Sequence, residues 1–212
     1  MSADAKLRDA IVATGASLFN RGLTHGSTGN ISVRLDDGGW LMTPTGSSLG
    51  TLDPKRLSRL DAQGHLIAGD AATKEAFLHT TMYAQRPRAG AVVHLHSTHS
   101  VAVSCIHGID HGDCLPPITA YYVMRVGTLP IVPYFPPGDA ALAEAVGKLA
   151  GKHHAVLLAN HGPVVAGTNL AAATDAIEEL EETAKLFLML RTETLRPLTH
   201  DQTAELRKRF PS

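Results

Sequence analysis

Four side chains in this sequence are candidates for the donors of a metal site, beside the plainer reading of histidines paired by chance and a Glu that stabilises a helix end. His94-Leu95-His96 closes the apolar run Ala91-Val92-Val93. An extended chain turns successive side chains to opposite faces, so these two imidazoles point the same way. His161 follows a second apolar run, Ala155 to Ala159, and stands before Gly162 and Pro163. Three imidazoles around a divalent ion leave room for a carboxylate, water or substrate. Glu75 offers the carboxylate, in Thr73-Lys74-Glu75 where a helix opens. Thr73 is suited to cap that helix, and the helix dipole favours an anion in its first turn. Facing a metal, Glu75 would act as ligand, base or acid. His79, four residues on, shares its helical side and reads as a packing or hydrogen-bonding residue. His99 reads as a helix-start residue near the site rather than a fourth ligand. His107, His111, His153 and His154 fall in polar, loop-like contexts and read as surface residues.

Two upstream loops are suited to an anion. They are Gly26-Ser27-Thr28-Gly29-Asn30-Ile31-Ser32 and Thr43-Pro44-Thr45-Gly46-Ser47-Ser48. Glycine lets a ligand approach the backbone, and exposed N–H groups with Thr, Ser and Asn side chains make a cradle. Each loop read singly is an ordinary turn; two of the same character keep the cradle open beside that reading.

The elements that would position these groups follow from periodicity. Leu7, Ile11, Thr14 and Leu18 keep helical spacing up to about Asn20-Arg21-Gly22. Ile31–Arg34 and Trp40–Thr43 read as strands joined by an Asp36-Asp37-Gly38-Gly39 turn. Asp53-Pro54-Lys55-Arg56-Leu57 reads as a short helix with an Asp cap. Leu57–Leu60 and His65–Ile67 form a second hairpin about Asp61 to Gly64. A helix runs from about Thr73 to Gln85 and stops before Pro87. Further strands fit Ala91–His96, Thr128–Val132, Ala155–Ala159 and Val164–Ala166. Further helices fit Ser97–Ser104, Asp139–Leu149 and Leu170–Arg191. In the last, Ile177, Leu180, Ala184, Phe187 and Leu188 make the apolar stripe. Glu178, Glu179, Glu181 and Glu182 fall off it and read as a solvated face. Strands and helices without strict alternation predict an α/β layered fold around a sheet with antiparallel pairs. No Gly-x-Gly-x-x-Gly follows a strand, against a Rossmann unit.

Bulk properties narrow the class. The 212 residues bury one sizeable core, and two full domains would be a tight fit. Hydrophobic content of 44%, charged content of 18% and a net charge of −1 describe a globular chain with no electrostatic case for nucleic acid or an anionic membrane. No signal-peptide pattern opens the chain and no apolar stretch reaches the ~20 residues of a membrane span. Cys105 and Cys114 have neither metal-knuckle spacing nor a secretory context, which predicts a reduced pair in the cytoplasm.

Taken in order, Gly29-Asn30-Ile31-Ser32, Thr43-Pro44-Thr45-Gly46, Glu75 with His79, His94-Leu95-His96 and Asn160-His161-Gly162 resemble the class II aldolase/adducin superfamily. The resemblance spans about Thr24 to Arg191. It implies a three-layer α/β/α single domain over residues 1–212 with a mainly antiparallel sheet, assembled as a homotetramer with sites at subunit boundaries. It implies Zn2+, or another divalent metal, on His94, His96 and His161, with Glu75 as acid/base and sometimes ligand. Asn30, Thr45, Gly46, Thr73 and Lys74 match the family's phosphate- and substrate-binding positions. Tyr121 matches a tyrosine that reaches the site as proton donor in some aldolases, with Tyr122 as its rival.

One motif departs from the sugar-phosphate aldolases. They usually carry Pro-Ser-Ser-Glu, where this chain has Ala72-Thr73-Lys74-Glu75. That version, with Thr43 to Gly50, His94 to Thr98 and Glu178 to Lys185, is most similar to the 3-oxo-tetronate 4-phosphate decarboxylases. A lysine beside Glu75 suits a substrate carrying both carboxylate and phosphate. The resemblance implies a zinc-dependent decarboxylation through an ene-diolate, giving dihydroxyacetone phosphate and CO2 in four-carbon acid-sugar catabolism. A fuculose-phosphate type aldolase is the near alternative, since it shares the ene-diolate. A non-catalytic adducin-like module is the remote one, and the retained histidines oppose it.

Overall fold

The computed structural model describes residues 3–136 and 138–210. Eight strands make one sheet: β1 (Asn30–Arg34), β2 (Trp40–Met42), β3 (Ser58–Leu60), β4 (Leu66–Ala68), β5 (Ala91–His94), β6 (Ile131–Val132), β7 (Ala155–Leu158) and β8 (Gly162–Gly167). Their spatial order is β4-β3-β2-β1-β5-β8-β7-β6. Every neighbouring pair is antiparallel except β6 with β7. The helices are α1 (Ala3–Asn20), α2 (Ala76–Gln85), α3 (Thr98–Ser104), α4 (Ala120–Arg125), α5 (Ala140–Ala150), α6 (Leu170–Met189) and α7 (His200–Arg209).

Strand alternation sorts the core into two clusters. Ile31 and Val33 of β1, Ala91 and Val93 of β5 and Val165 of β8 pack with Ile11 and Leu18 of α1, Val103 of α3 and Ile177, Leu180 and Ala184 of α6. The intervening residues Val92, Val156, Val164 and Ala166 face the other way, onto Leu78, Met82 and Tyr83 of α2 and Leu142 and Val146 of α5. Helices on both faces of a mainly antiparallel sheet give the α/β layering that periodicity predicts and the three-layer α/β/α form that the resemblance implies.

Several boundaries differ from the sequence reading. The ladder of β5 ends at His94, so His96 lies just beyond it. Asp53 makes a single turn instead of a helix: its Oδ1 accepts from Lys55 N at 2.9 Å and its carbonyl from Arg56 N at 3.0 Å. α2 starts at Ala76, and Thr73 Oγ1 accepts from Glu75 N at 3.2 Å, just outside the helix. α4, capped by Thr119, and α7, opened by a Thr199–Gln202 capping box, have weak apolar periodicity and were not anticipated.

Candidate active site

The centre of the sheet gathers the chemistry. Asn30 of β1 and His94 of β5 are direct antiparallel partners, and His94 pairs in turn with Val164 of β8. His94 has the same parity as Val92, so it faces α2, which brings Glu75 from the start of that helix. β7 and β8 form a tight hairpin whose apex is Asn160-His161. Asn160 takes the left-handed conformation at φ 57°, a role for which Asn is among the better residues. Gly162 permits the approach to β5: a Cβ there would stand 2.3 Å from the Leu95 carbonyl oxygen. The close contact lets His161 meet His96 across the two chain segments.

One ligand atom from each of Glu75, His94, His96 and His161 lies within 4.8 Å of all the others. His94 Nε2 and His161 Nε2 each stand 3.1 Å from His96 Nε2. Glu75 Oε2 is 3.5 Å from His94 Nε2, and its Oε1 is 3.2 Å from His161 Nε2. Nitrogen donors bound tetrahedrally at about 2.0–2.1 Å from zinc would be about 3.3 Å apart, so this spacing fits a divalent ion. The ring orientation fits as well. Pro163 O can only accept, so His94 Nδ1 donates to it at 2.8 Å and leaves Nε2 as a bare lone pair facing the cluster.

Electrostatics favour a cation at this point. Burial lowers the pKa of His94, outweighing the attraction of Glu75. Burial, then repulsion from His94 and His161, pushes His96 down to about 3. Burial alone would raise Glu75, but His94 and hydrogen bonds from His161 and Asn30 hold it well below the usual carboxylate range. Lowered pKa values at His94 and His96 and an ionised Glu75 therefore meet at one point, the protonation states that metal binding favours.

The surrounding residues divide into placed and remote. Asn30 Nδ2 donates to Glu75 Oε2 at 2.7 Å. The Thr43–Ser47 loop lies against the Ala71–Thr73 segment through Thr45 N to Ala71 O at 2.9 Å and Thr73 N to Thr43 O at 3.2 Å. Thr45 and Gly46 are exposed, Thr73 is buried and Lys74 is exposed beside Glu75. Tyr121 sits apart on α4, which packs against α6 on the face opposite α2.

A family profile described as the class II aldolase and adducin N-terminal domain matches residues 9–188. This chain belongs to the class II aldolase/adducin family. A relative named 3-oxo-tetronate 4-phosphate decarboxylase, from Pectobacterium atrosepticum, is 52% identical over 206 residues, 97% of this chain and 94% of that protein. A relative named L-fuculose phosphate aldolase, from Haemophilus influenzae, is 34% identical over 190 residues, 88% of this chain and 84% of that one. The crystal structure of YgbL from Escherichia coli superposes with a TM-score of 0.95 at 47% identity, covering 97% of this chain and all of that one.

Within that family frame, three readings need correction and several residues were missed. Glu181 is buried, not solvated. Its Oε1 accepts from His99 N at 2.9 Å and His99 Nδ1 at 2.8 Å, and its Oε2 from Ser100 N at 2.8 Å and Ser100 Oγ at 2.6 Å. It holds the start of α3, two residues beyond His96, and His99 is a helix-start residue. His153 and His154 are half-buried, bonded to Thr128 Oγ1 at 2.8 Å and to Arg125 O at 2.9 Å. Tyr122 is fully buried with its hydroxyl on Asp113 at 3.1 Å, so of the two tyrosines only Tyr121 presents its ring to solvent. Ser32, noted in the sequence only as the end of a loop motif, bonds to His79 and to Tyr83 behind Asn30, and Tyr83 was not singled out at all. The spacings Asn30-x-Ser32 and Glu75-x3-His79-x3-Tyr83 carry that signal, since they put polar groups on one strand face and one helix face.

Proposed function

We propose that this chain is a metal-dependent decarboxylase that converts a 3-oxo-tetronate 4-phosphate to dihydroxyacetone phosphate and CO2. The observation that carries the reading is full-length similarity to proteins named for that reaction, 52% against 34% for the aldolase, in a chain with all four donors converged. His94, His96 and His161, with Glu75 at their edge, would hold the ion, and zinc suits three imidazoles and a carboxylate. A divalent ion there supplies Lewis acidity, worth several kcal/mol against the negative charge that develops on the 3-oxo oxygen as CO2 leaves.

The protein's own groups do the rest. Thr45, Gly46, Thr73 and the Lys74 ammonium are assigned to the phosphate and carboxylate of the substrate. Asn30 is held at both ends of its amide, which leaves one N–H for that substrate. Glu75 rests ionised, so it takes up a proton before it can return one to the carbon that has lost CO2. Tyr121, 58% exposed, is assigned as proton donor to the site of a neighbouring copy, in a homotetramer with sites at subunit boundaries. The proposed compartment is the cytoplasm, where Cys105 and Cys114, both free, would stay reduced. Among the described residues no helix is long and apolar enough to cross a membrane.

The deciding experiment is an assay of zinc-loaded protein on phosphorylated four-carbon keto acids and on sugar 1-phosphates. Release of CO2 with dihydroxyacetone phosphate is expected from the acids. Aldehyde release from the sugar phosphates, without CO2 from the acids, would replace the decarboxylase by an aldolase.

A further inference from the structure

A chain of buried polar side chains runs from Glu75 into the interior. Asn30, 5% exposed, donates from Nδ2 to Glu75 Oε2 at 2.7 Å and presents Oδ1 to His79 Nε2 at 2.5 Å. His79, wholly buried, meets Ser32 Oγ with Nδ1 at 2.7 Å, and Ser32 Oγ meets the Tyr83 hydroxyl at 2.9 Å. Arg34 closes the row: its Nη2 donates to Tyr83 O at 3.0 Å, and its guanidinium lies 4.8 Å over the Tyr83 ring.

The row exists because two periods match. Alternate residues of β1 advance by about 6.6 Å, and every fourth residue of α2 advances by about 6 Å. Asn30, Ser32 and Arg34 therefore interleave with Glu75, His79 and Tyr83: Asn30 bridges Glu75 and His79, Ser32 bridges His79 and Tyr83, and Arg34 lies against Tyr83.

One end sets the direction of every bond. An ionised carboxylate only accepts, so Asn30 must turn its NH2 toward Glu75 and its carbonyl toward His79. That carbonyl requires N–H at His79 Nε2. Burial, reinforced by His94 and opposed by Glu75, pushes the His79 pKa down to about 3, so the ring is neutral and Nδ1 is an acceptor. The Ser32 hydroxyl then donates to Nδ1, and the Tyr83 hydroxyl donates to Ser32. Ser32, His79 and Asn30 each donate once and accept once along the row, Tyr83 starts it as a donor and Glu75 ends it as an acceptor.

We propose that His79 is a positioning residue for the reaction, the centre of a one-way relay Tyr83→Ser32→His79→Asn30→Glu75 that locks the Asn30 amide with its NH2 on the carboxylate. Its effect on turnover rests on the assignment of Glu75 as acid/base. Four polar side chains in a core position are costly unless all are satisfied, and a fully satisfied row fixes one geometry. Without His79 the Asn30 amide is free to flip, and its carbonyl would then face the Glu75 carboxylate.

Two measurements test the relay. Nitrogen-15 spectra of the metal-free protein at neutral pH should show His79 as the neutral Nε2–H tautomer. The Nδ1–H tautomer or an imidazolium would overturn the relay, whatever the substrate proves to be. In the second, zinc-loaded His79→Phe should keep its metal content while kcat falls about 10–100-fold, the usual cost of losing an orienting partner. His79→Gln, which carries both a donor and an acceptor, should recover most of the loss. Unchanged kcat in His79→Phe, or a change confined to KM, would overturn the positioning role. If His79→Phe fails to fold, the tautomer decides alone. Absence of CO2 release by the unaltered protein would refute the proposed function and leave the tautomer result standing.

Discussion

His94 and Glu75 belong to one cluster but hold different responsibilities, and single substitutions separate them. His94 is a wholly buried donor whose orientation is fixed by Pro163 O. His94→Ala removes the lone pair and orphans that carbonyl, so emission spectrometry on dialysed protein should find the metal lost. Glu75→Gln keeps an oxygen donor and the approximate shape but cannot exchange a proton. It should retain metal while turnover falls by about 10²–10⁴-fold, the usual contribution of a general acid/base. Metal loss in both variants would make Glu75 an essential ligand. The four donors were legible because ligand chemistry is restricted to few residue types and strand parity put His94 and His96 on one side. Glu181 was not: it stands four residues after Ile177 and three before Ala184, on the stripe's own face, but a carboxylate reads as solvated until its partners, His99 and Ser100, arrive from another segment.

Elements hold the site together by two contacts that can be tested. The first is the β7–β8 hairpin against the end of β5. Gly162→Ala would drive a methyl into the Leu95 carbonyl, so either backbone must move. Weaker metal binding is expected along with lower stability, read by zinc titration and urea denaturation. An alanine variant with native zinc affinity would show that the approach is not needed for the ligands. The second contact is Glu181 at the start of α3. Glu181→Gln places an NH2 against two of the four donors it now accepts from, at an expected cost of about 1–3 kcal/mol. A loss within error in urea denaturation would mean that those donors find water instead. The sequence disclosed the strands and the long helices because their periodicity is strong. It did not disclose α4, a six-residue helix, or α7, whose surface is mostly polar. Nor did it disclose the match between β1 and α2, which needs the two elements already stacked.

For the molecule as a whole, burying neutral histidines ties stability to pH. Burial holds His79 at about 3 in the fold, with His94 lowering it further and Glu75 raising it, against about 6.5 in an unfolded chain. His94 is lowered as well, and His96 stands at about 3. Between these limits the unfolded chain binds more protons than the folded one, so stability rises with pH. It is complete above about pH 6.5 and is lost as pH falls toward 3. His79 alone, fully buried, should contribute a slope of about 1.4 kcal/mol per pH unit inside that window. Urea denaturation of chelator-treated protein should therefore give a plateau from pH 8 to 6.5 and a decline from 6.5 to 5, before most carboxylates titrate. His79→Gln, which stays neutral throughout, should flatten the decline by that one-proton slope while leaving the contribution of His94 and His96. Saturating zinc should raise the plateau by about 2.7 kcal/mol at a hundred times its Kd, because only the fold gathers the ligands. That gain should persist below pH 6.5, since burial lowers the pKa of His94 and holds His96 at about 3 in the fold. A gain that vanished near pH 6.5, as for ordinary solvent-exposed histidines, would contradict the burial that lowers His94 and His96.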